Sequence, residues 1–226
     1  MTPYRVQKSR RKTMAIHILP DGQVEVRAPL KTPKAFLDRF VMEKSEWIEM
    51  SSAEARKRHE KRQAFILKDG CSLLYMGEKL PLVCCELKKP LFDEECFYIP
   101  DRFAEEKIKE AVVKLYRSEA KRVLNEKVHY YAEQMHARPT SVKINNARTR
   151  WGSCSGKNSL NFSWKLIMAP ESAIDYVVIH ELAHTFEHNH SAAFWNIVAA
   201  FIPDYKMQQS ILKELGILLS TQNWEV

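Results

Sequence analysis

PESAIDYVVIHELAHTFEHNHS, residues 170–191, decides how the rest of this chain is read. Pro170 followed by Glu171 opens a helix, and Ile174, Val177 and Val178 carry an apolar face through it. His180-Glu181-Leu182-Ala183-His184 then matches H-E-x-x-H. Residues four apart share one face of a helix, so both imidazoles can reach a single ion. Glu181 points to the neighbouring side, where it can take a proton from water held there. Neutral imidazoles bind zinc well, and three protein ligands leave a fourth position for water, whose pKa the ion lowers towards about 7. The motif therefore predicts a Zn2+ hydrolase with His180 and His184 as metal ligands and Glu181 as the catalytic base.

A third ligand has three candidates. His188 lies four residues past His184, but a continuous helix swings it roughly 80° away from His180. Glu187 offers a carboxylate. His190 lies far enough on to fold back if the helix ends near Asn189, a residue type that tolerates a left-handed stop. His190 is the preferred reading. Its spacing is also that of the long metzincin signature, HExxHxxGxxH, but Glu187 stands where that signature has glycine, so the tight turn lacks its usual residue. Ser191 then reads as the cap of a further helix bearing Phe194, Trp195 and Val198.

Working outward, Arg150-Trp151-Gly152-Ser153-Cys154-Ser155 and Leu160-Asn161 precede this stretch, with strand-like runs near 141–147 and 159–164. Together with Ile174-Asp175-Tyr176-Val177-Val178, the HELAH motif, Asn189-His190-Ser191 and Phe194-Trp195, these segments resemble the YgjP-like metallopeptidases, small HExxH metal-dependent hydrolases also called minigluzincins. The N-terminal stretch is similar as well, through Arg10-Arg11-Lys12, Arg27-Ala28-Pro29 and Trp47-Ile48. The resemblance spans nearly the whole chain and is most specific over 148–195. It implies that His180, His184 and His190 ligate zinc, that Glu181 is the general base and acid, and that the WGSC segment is a strand beside the cleft. Substrate-binding candidates are Arg148 and Arg150, which suit a carboxylate or phosphate, and the edge formed by Trp151, Gly152, Ser153 and Cys154, which suits an extended peptide. Cys154 reads as a small packed residue rather than a nucleophile.

The N-terminal half is rich in strand signals. Residues 13–19 and 23–28 form two β-like runs joined by the turn Pro20-Asp21-Gly22. Thr32-Pro33 then starts a helix that should run to about residue 60, with Phe36, Phe40, Trp47 and Ile48 at helical spacing. Short strand-like pieces fill 65–99, and a long helix or two stacked ones covers 101–138. A last helix follows Pro203. The fold class is α+β: a strand-rich N-terminal half, residues 1–100, packed on a mostly helical zincin-like catalytic domain with a small β-sheet, residues 101–226.

Bulk properties narrow the function further. The 226 residues are 45% hydrophobic and 28% charged, the balance of a folded domain. No apolar run approaches the roughly 20 residues of a membrane span, and the basic N-terminus lacks the apolar core of a secretory leader. Five cysteines at 71, 84, 85, 96 and 154 form no CxxC pair, which fits a reducing, cytoplasmic setting. The net charge of +7 sits entirely in residues 1–62, with 15 Lys and Arg against 8 Asp and Glu. That excess is a solvated surface or a patch for something anionic. Three functions follow. The leading one is a peptidase acting on peptide. The alternative, suggested by the resemblance, is a pyrophosphatase acting on a nucleotide such as UTP; no GxxxxGK loop is present, so side chains must grip its phosphates. The third is a DNA-associated SprT-like protease, for which the chain shows no helix-turn-helix or zinc-finger spacing of a nucleic acid binder.

Overall fold

A computed structural model describes residues 2–147 and 149–226. Their packing separates into two compact units, residues 1–65 with 218–223, and residues 66–217 with 224–226. Helices and small sheets are both present in quantity, an α+β fold. Among the described residues no helix is long and apolar enough to cross a membrane.

In the first unit, β2 (Ala15–Ile18) and β3 (Val24–Pro29) pair antiparallel as the hairpin expected from Pro20-Asp21-Gly22. Gly22 has φ +80°, and a Cβ there would lie 2.5 Å from Arg56 Cγ and 2.7 Å from the Ser52 carbonyl oxygen, so the turn requires glycine. A third strand, β1 (Arg5–Ser9), was not foreseen. Its residues are all exposed and mostly polar, so they carry no alternation, yet they pair parallel with β3. Val24, Val26 and Ala28 alternate onto one face of β3 and bury against Leu37, Val41 and Ile48. Those three belong to α1 (Lys34–Glu43) and α2 (Ser45–Gln63). The sequence suggests one helix here; the structure breaks it at Lys44, φ −110° and ψ 13°. The first helix also starts one residue later than Thr32-Pro33 implies, with Pro33 itself at the cap position.

The second unit opens with a four-stranded sheet in the order β4-β5-β7-β6: β4 (Ser72–Tyr75), β5 (Glu78–Cys85), β6 (Leu91–Phe92) and β7 (Phe97–Pro100). One continuous helix follows, α3 (Glu105–Met135), stopped by His136 in the left-handed conformation. A three-stranded sheet comes next: β8 (Ser141–Asn145), β9 (Gly152–Cys154) and β10 (Ser159–Ser163), with β10 central, parallel to β8 and antiparallel to β9. A 3-10 turn (Trp164–Met168) leads into α4 (Glu171–Ala183), then α5 (Ala192–Phe201) and α6 (Tyr205–Ser220).

Helix α4 is the axis of this unit. Nine of its thirteen residues are buried, including Ile174, Val177, Val178 and Ile179. A helix apolar nearly all round belongs in a core. Lys127 of α3 ties it down through Nζ, 2.6 Å from Asp175 Oδ1 and 2.8 Å from Glu171 Oε1. Trp164 is wholly buried beside Tyr116 and Trp224, and its indole N–H donates to Asn146 Oδ1 at 2.9 Å.

Replacing Trp164 by alanine removes that filling and leaves the Asn146 amide oxygen without its donor. We expect a loss of about 3–5 kcal/mol in urea unfolding of the purified chain. A loss below about 1 kcal/mol would show that the ring is not a structural centre.

Candidate metal centre

Two of the three converging imidazoles stand on the end of α4. His180 lies in its last turn and His184 caps its C-terminus, still in right-handed helical geometry. Their ring centroids are 5.0 Å apart. The helix does not continue to Asn189, as the sequence reading had it, and no left-handed residue stops it there. It ends six residues earlier because the backbone tightens: Thr185 N–H donates to Leu182 O and Phe186 N–H to Ala183 O. The Thr185 hydroxyl also donates to Leu182 O at 2.7 Å, competing with the helical ladder. Asn189 instead accepts the Ser191 N–H at 3.0 Å, and the Ser191 hydroxyl accepts the Phe194 N–H to start α5.

This short return carries His190 back over the helix end. Its ring centroid lies 5.1 Å from His180 and 4.7 Å from His184, and its Nε2 is 3.2 Å from His180 Nε2. One nitrogen from each of the three rings lies within 4.8 Å of the other two. Among the described residues neither Glu187 nor His188 joins this group. Aromatic side chains floor it: the Phe194 centroid is 4.9, 4.4 and 4.8 Å from His180, His184 and His190. Trp195 stacks on His190 at 5.6 Å, and Tyr205 stacks on Trp195 at 4.9 Å. Phe194 and Trp195 read from sequence as apolar positions of a helix and as part of the family resemblance; their place beneath the three rings comes from the fold.

The electrostatics favour the neutral forms of His180 and His184. Burial holds His180 far below the usual imidazole range, at about 3, and His184 and His190 push the same way. Burial also lowers His184, against the raising effect of the Glu187 carbonyl. That carbonyl lies 2.9 Å from His184 Nδ1, and since it can only accept, Nδ1 carries the proton and Nε2 keeps its lone pair. A tetrahedral ion with nitrogens at about 2.0–2.1 Å sets them about 3.3 Å apart. The His180–His190 separation and the neutral donors fit such an ion.

Glu181 is 5% exposed and its Oε2 has no hydrogen-bond partner. Burial pushes its carboxyl up to about 8, with the Arg150 guanidinium pulling the other way. The carboxylate lies against β9: a Cβ on Gly152 would sit 2.5 Å from Glu181 Oε1. Trp151, Gly152, Ser153 and Cys154 are all half-buried and Arg150 is exposed. Trp151 gives its carbonyl to Ser163 N–H, and among the described residues β9 pairs on one side only, with β10. Burial pushes the Cys154 thiol up, with Glu181 adding to it, which favours the unreactive protonated form. Arg148 lies outside the described residues.

The family model described as "YgjP-like, metallopeptidase domain" matches residues 12–215. No curated protein matches the chain. Among solved structures, the crystal structure of the metallopeptidase zymogen of Pyrococcus abyssi abylysin is 20% identical, with a TM-score of 0.38, covering 44% of this chain and 97% of that one.

Two outcomes follow from the geometry. Gly152→Ala forces Glu181 or β9 to move, so we expect about 1–3 kcal/mol of destabilisation in the metal-free chain and a displaced carboxylate in a crystal structure; an unmoved Glu181 at full stability would refute the close approach. The second concerns pH. A carboxyl raised to about 8 binds a proton in the folded chain that the unfolded chain has released, so stability falls as pH rises from 4.5 towards 8. His180, lowered to about 3, stays neutral where the unfolded chain protonates, so stability falls as pH drops below 6.5. Thermal melts in EDTA should therefore peak between these two slopes, at mildly acidic pH. A maximum at pH 9 would contradict the burial assigned to Glu181.

Proposed function

Because the chain belongs to the YgjP-like, metallopeptidase-domain family, we propose that it is a zinc-dependent peptidase in which His180, His184 and His190 hold the ion and Glu181 moves the protons. The observation that carries this reading is the convergence of one nitrogen from each of three rings at the end of the helix that also bears Glu181, whose buried Oε2 has no partner. Bound there, zinc would supply a Lewis acid for the scissile carbonyl and lower the pKa of water.

The chain's own residues supply the rest. Glu181 Oε2 is free to accept the proton of the attacking water and then to hand it to the leaving amine. An ion held by the three rings would favour the charged form of Glu181, offsetting the burial that raises its pKa. The Gly152 backbone leaves room for that carboxylate, and β9, unpaired on one side among the described residues, offers an edge on which an extended peptide can lie. The aromatic floor of Phe194 and Trp195 holds His190, the most exposed of the three rings, in place.

One observation favours a second reading, hydrolysis of a nucleoside triphosphate: Arg150 is exposed and close enough to influence Glu181, so it can also meet a phosphate. A paired assay separates the two. Purified protein with one equivalent of zinc is offered casein and, separately, UTP, alongside Glu181→Gln and His190→Ala. We expect casein cleavage, a fall of roughly 10²–10⁴-fold in Glu181→Gln with zinc content kept, and loss of zinc from His190→Ala. Pyrophosphate release without peptide cleavage, abolished in Glu181→Gln, would replace the peptidase reading with the nucleotide one.

A further inference from the structure

The imidazole that must present Nε2 to an ion needs something on Nδ1 to fix its ring, and His184 has the Glu187 carbonyl for this purpose. His180 has a side chain instead. Tyr176 lies one turn earlier on α4, is 5% exposed, and sets its hydroxyl 3.3 Å from His180 Nδ1, with the two rings edge to face at 5.7 Å. The same hydroxyl accepts a hydrogen bond from Gln209 Nε2 of α6 at 3.0 Å. A lone tyrosine–histidine contact one helical turn apart can arise from spacing alone. An amide arriving from another helix onto the same oxygen is a separate observation, and it restrains the hydroxyl from outside α4.

We propose that Tyr176 is a positioning residue of the metal centre and that Gln209 acts through it. The claim rests on the reading of His180 as a ligand through Nε2. Under that reading the direction of the contact is fixed. A tyrosine proton donated to Nδ1 would place the imidazole proton on Nε2, 3.2 Å from His190 Nε2, where the lone pair is needed. With the proton on Nδ1, His180 donates to the Tyr176 oxygen, which thus accepts from both His180 and Gln209. The first two turns of α6 hold the centre at two points: Gln209 reaches His180 through Tyr176, and Tyr205, four residues earlier on the same face, reaches His190 through Trp195.

The test is a zinc affinity, measured by competition with a chromophoric chelator on the full chain at one pH. Variants are Tyr176→Phe, Gln209→Leu and both together, with melts of each in EDTA. Tyr176→Phe keeps the ring and loses only the acceptor; we expect zinc affinity to fall roughly 10–100-fold. Gln209 is exposed, so Gln209→Leu should fold normally and weaken zinc by a smaller factor. The double variant should bind like Tyr176→Phe alone, because Gln209 has no route to the ion once the hydroxyl is gone. Wild-type affinity in Tyr176→Phe, or a Gln209→Leu effect that persists undiminished in the Tyr176→Phe background, would overturn the proposal while leaving the metal centre standing. Failure of the unmodified chain to bind zinc would overturn the ligand reading and this inference with it.

Discussion

Three imidazoles gathered at one helix end would repel one another if charged, and burial favours the uncharged forms of His180 and His184. Protonating all three would set like charges about 5 Å apart on a largely apolar floor of Phe194 and Trp195. Burial makes the first proton unwelcome before repulsion acts. What remains is a set of converging ring nitrogens, and on the same helix a buried carboxylate oxygen with no hydrogen-bond partner. Each neighbour makes sense against this condition: the Glu187 carbonyl sets a tautomer, and the bare Cα of Gly152 admits the carboxylate.

The fold itself was legible where a residue type left the backbone little choice. Pro170 before an apolar helical run located α4, Gly22 after Pro20-Asp21 located the hairpin, and Ser191 located α5. The periodic apolar residues of α3 identified a long helix but not whether it was single; continuity over 31 residues emerged only in the packed structure. What escaped had no local signature. β1 is polar and exposed throughout, so only its partner β3 makes it a strand. Lys44 interrupts a helical pattern without proline or glycine to announce it.

The site divides the same way. Spacing put His180 and His184 on one helical face, and the fold-back of His190 followed from its distance along the chain. Its route did not, because tightened backbone bonds and the Thr185 hydroxyl end the helix at Ala183, and both depend on three-dimensional placement. The closeness of Gly152 to Glu181 links residues 29 positions apart, which no periodicity reports. Tyr176 was hidden in plain view, since a tyrosine in a buried helix reads as filling until Gln209 is seen on its oxygen.

The burial of α4 carries one further consequence. Small domains nucleated by a metal fall apart under chelation because the ion stands in for a core. Here the rod that bears two of the three rings is enclosed by its own aliphatic and aromatic neighbours, from Ile174 to Leu182, and clamped by Lys127. Packing of this kind predicts a scaffold that persists whether or not the rings are loaded. On that expectation, stripping and reloading the proposed centre would be an exchange on a standing frame, with no refolding between the two states.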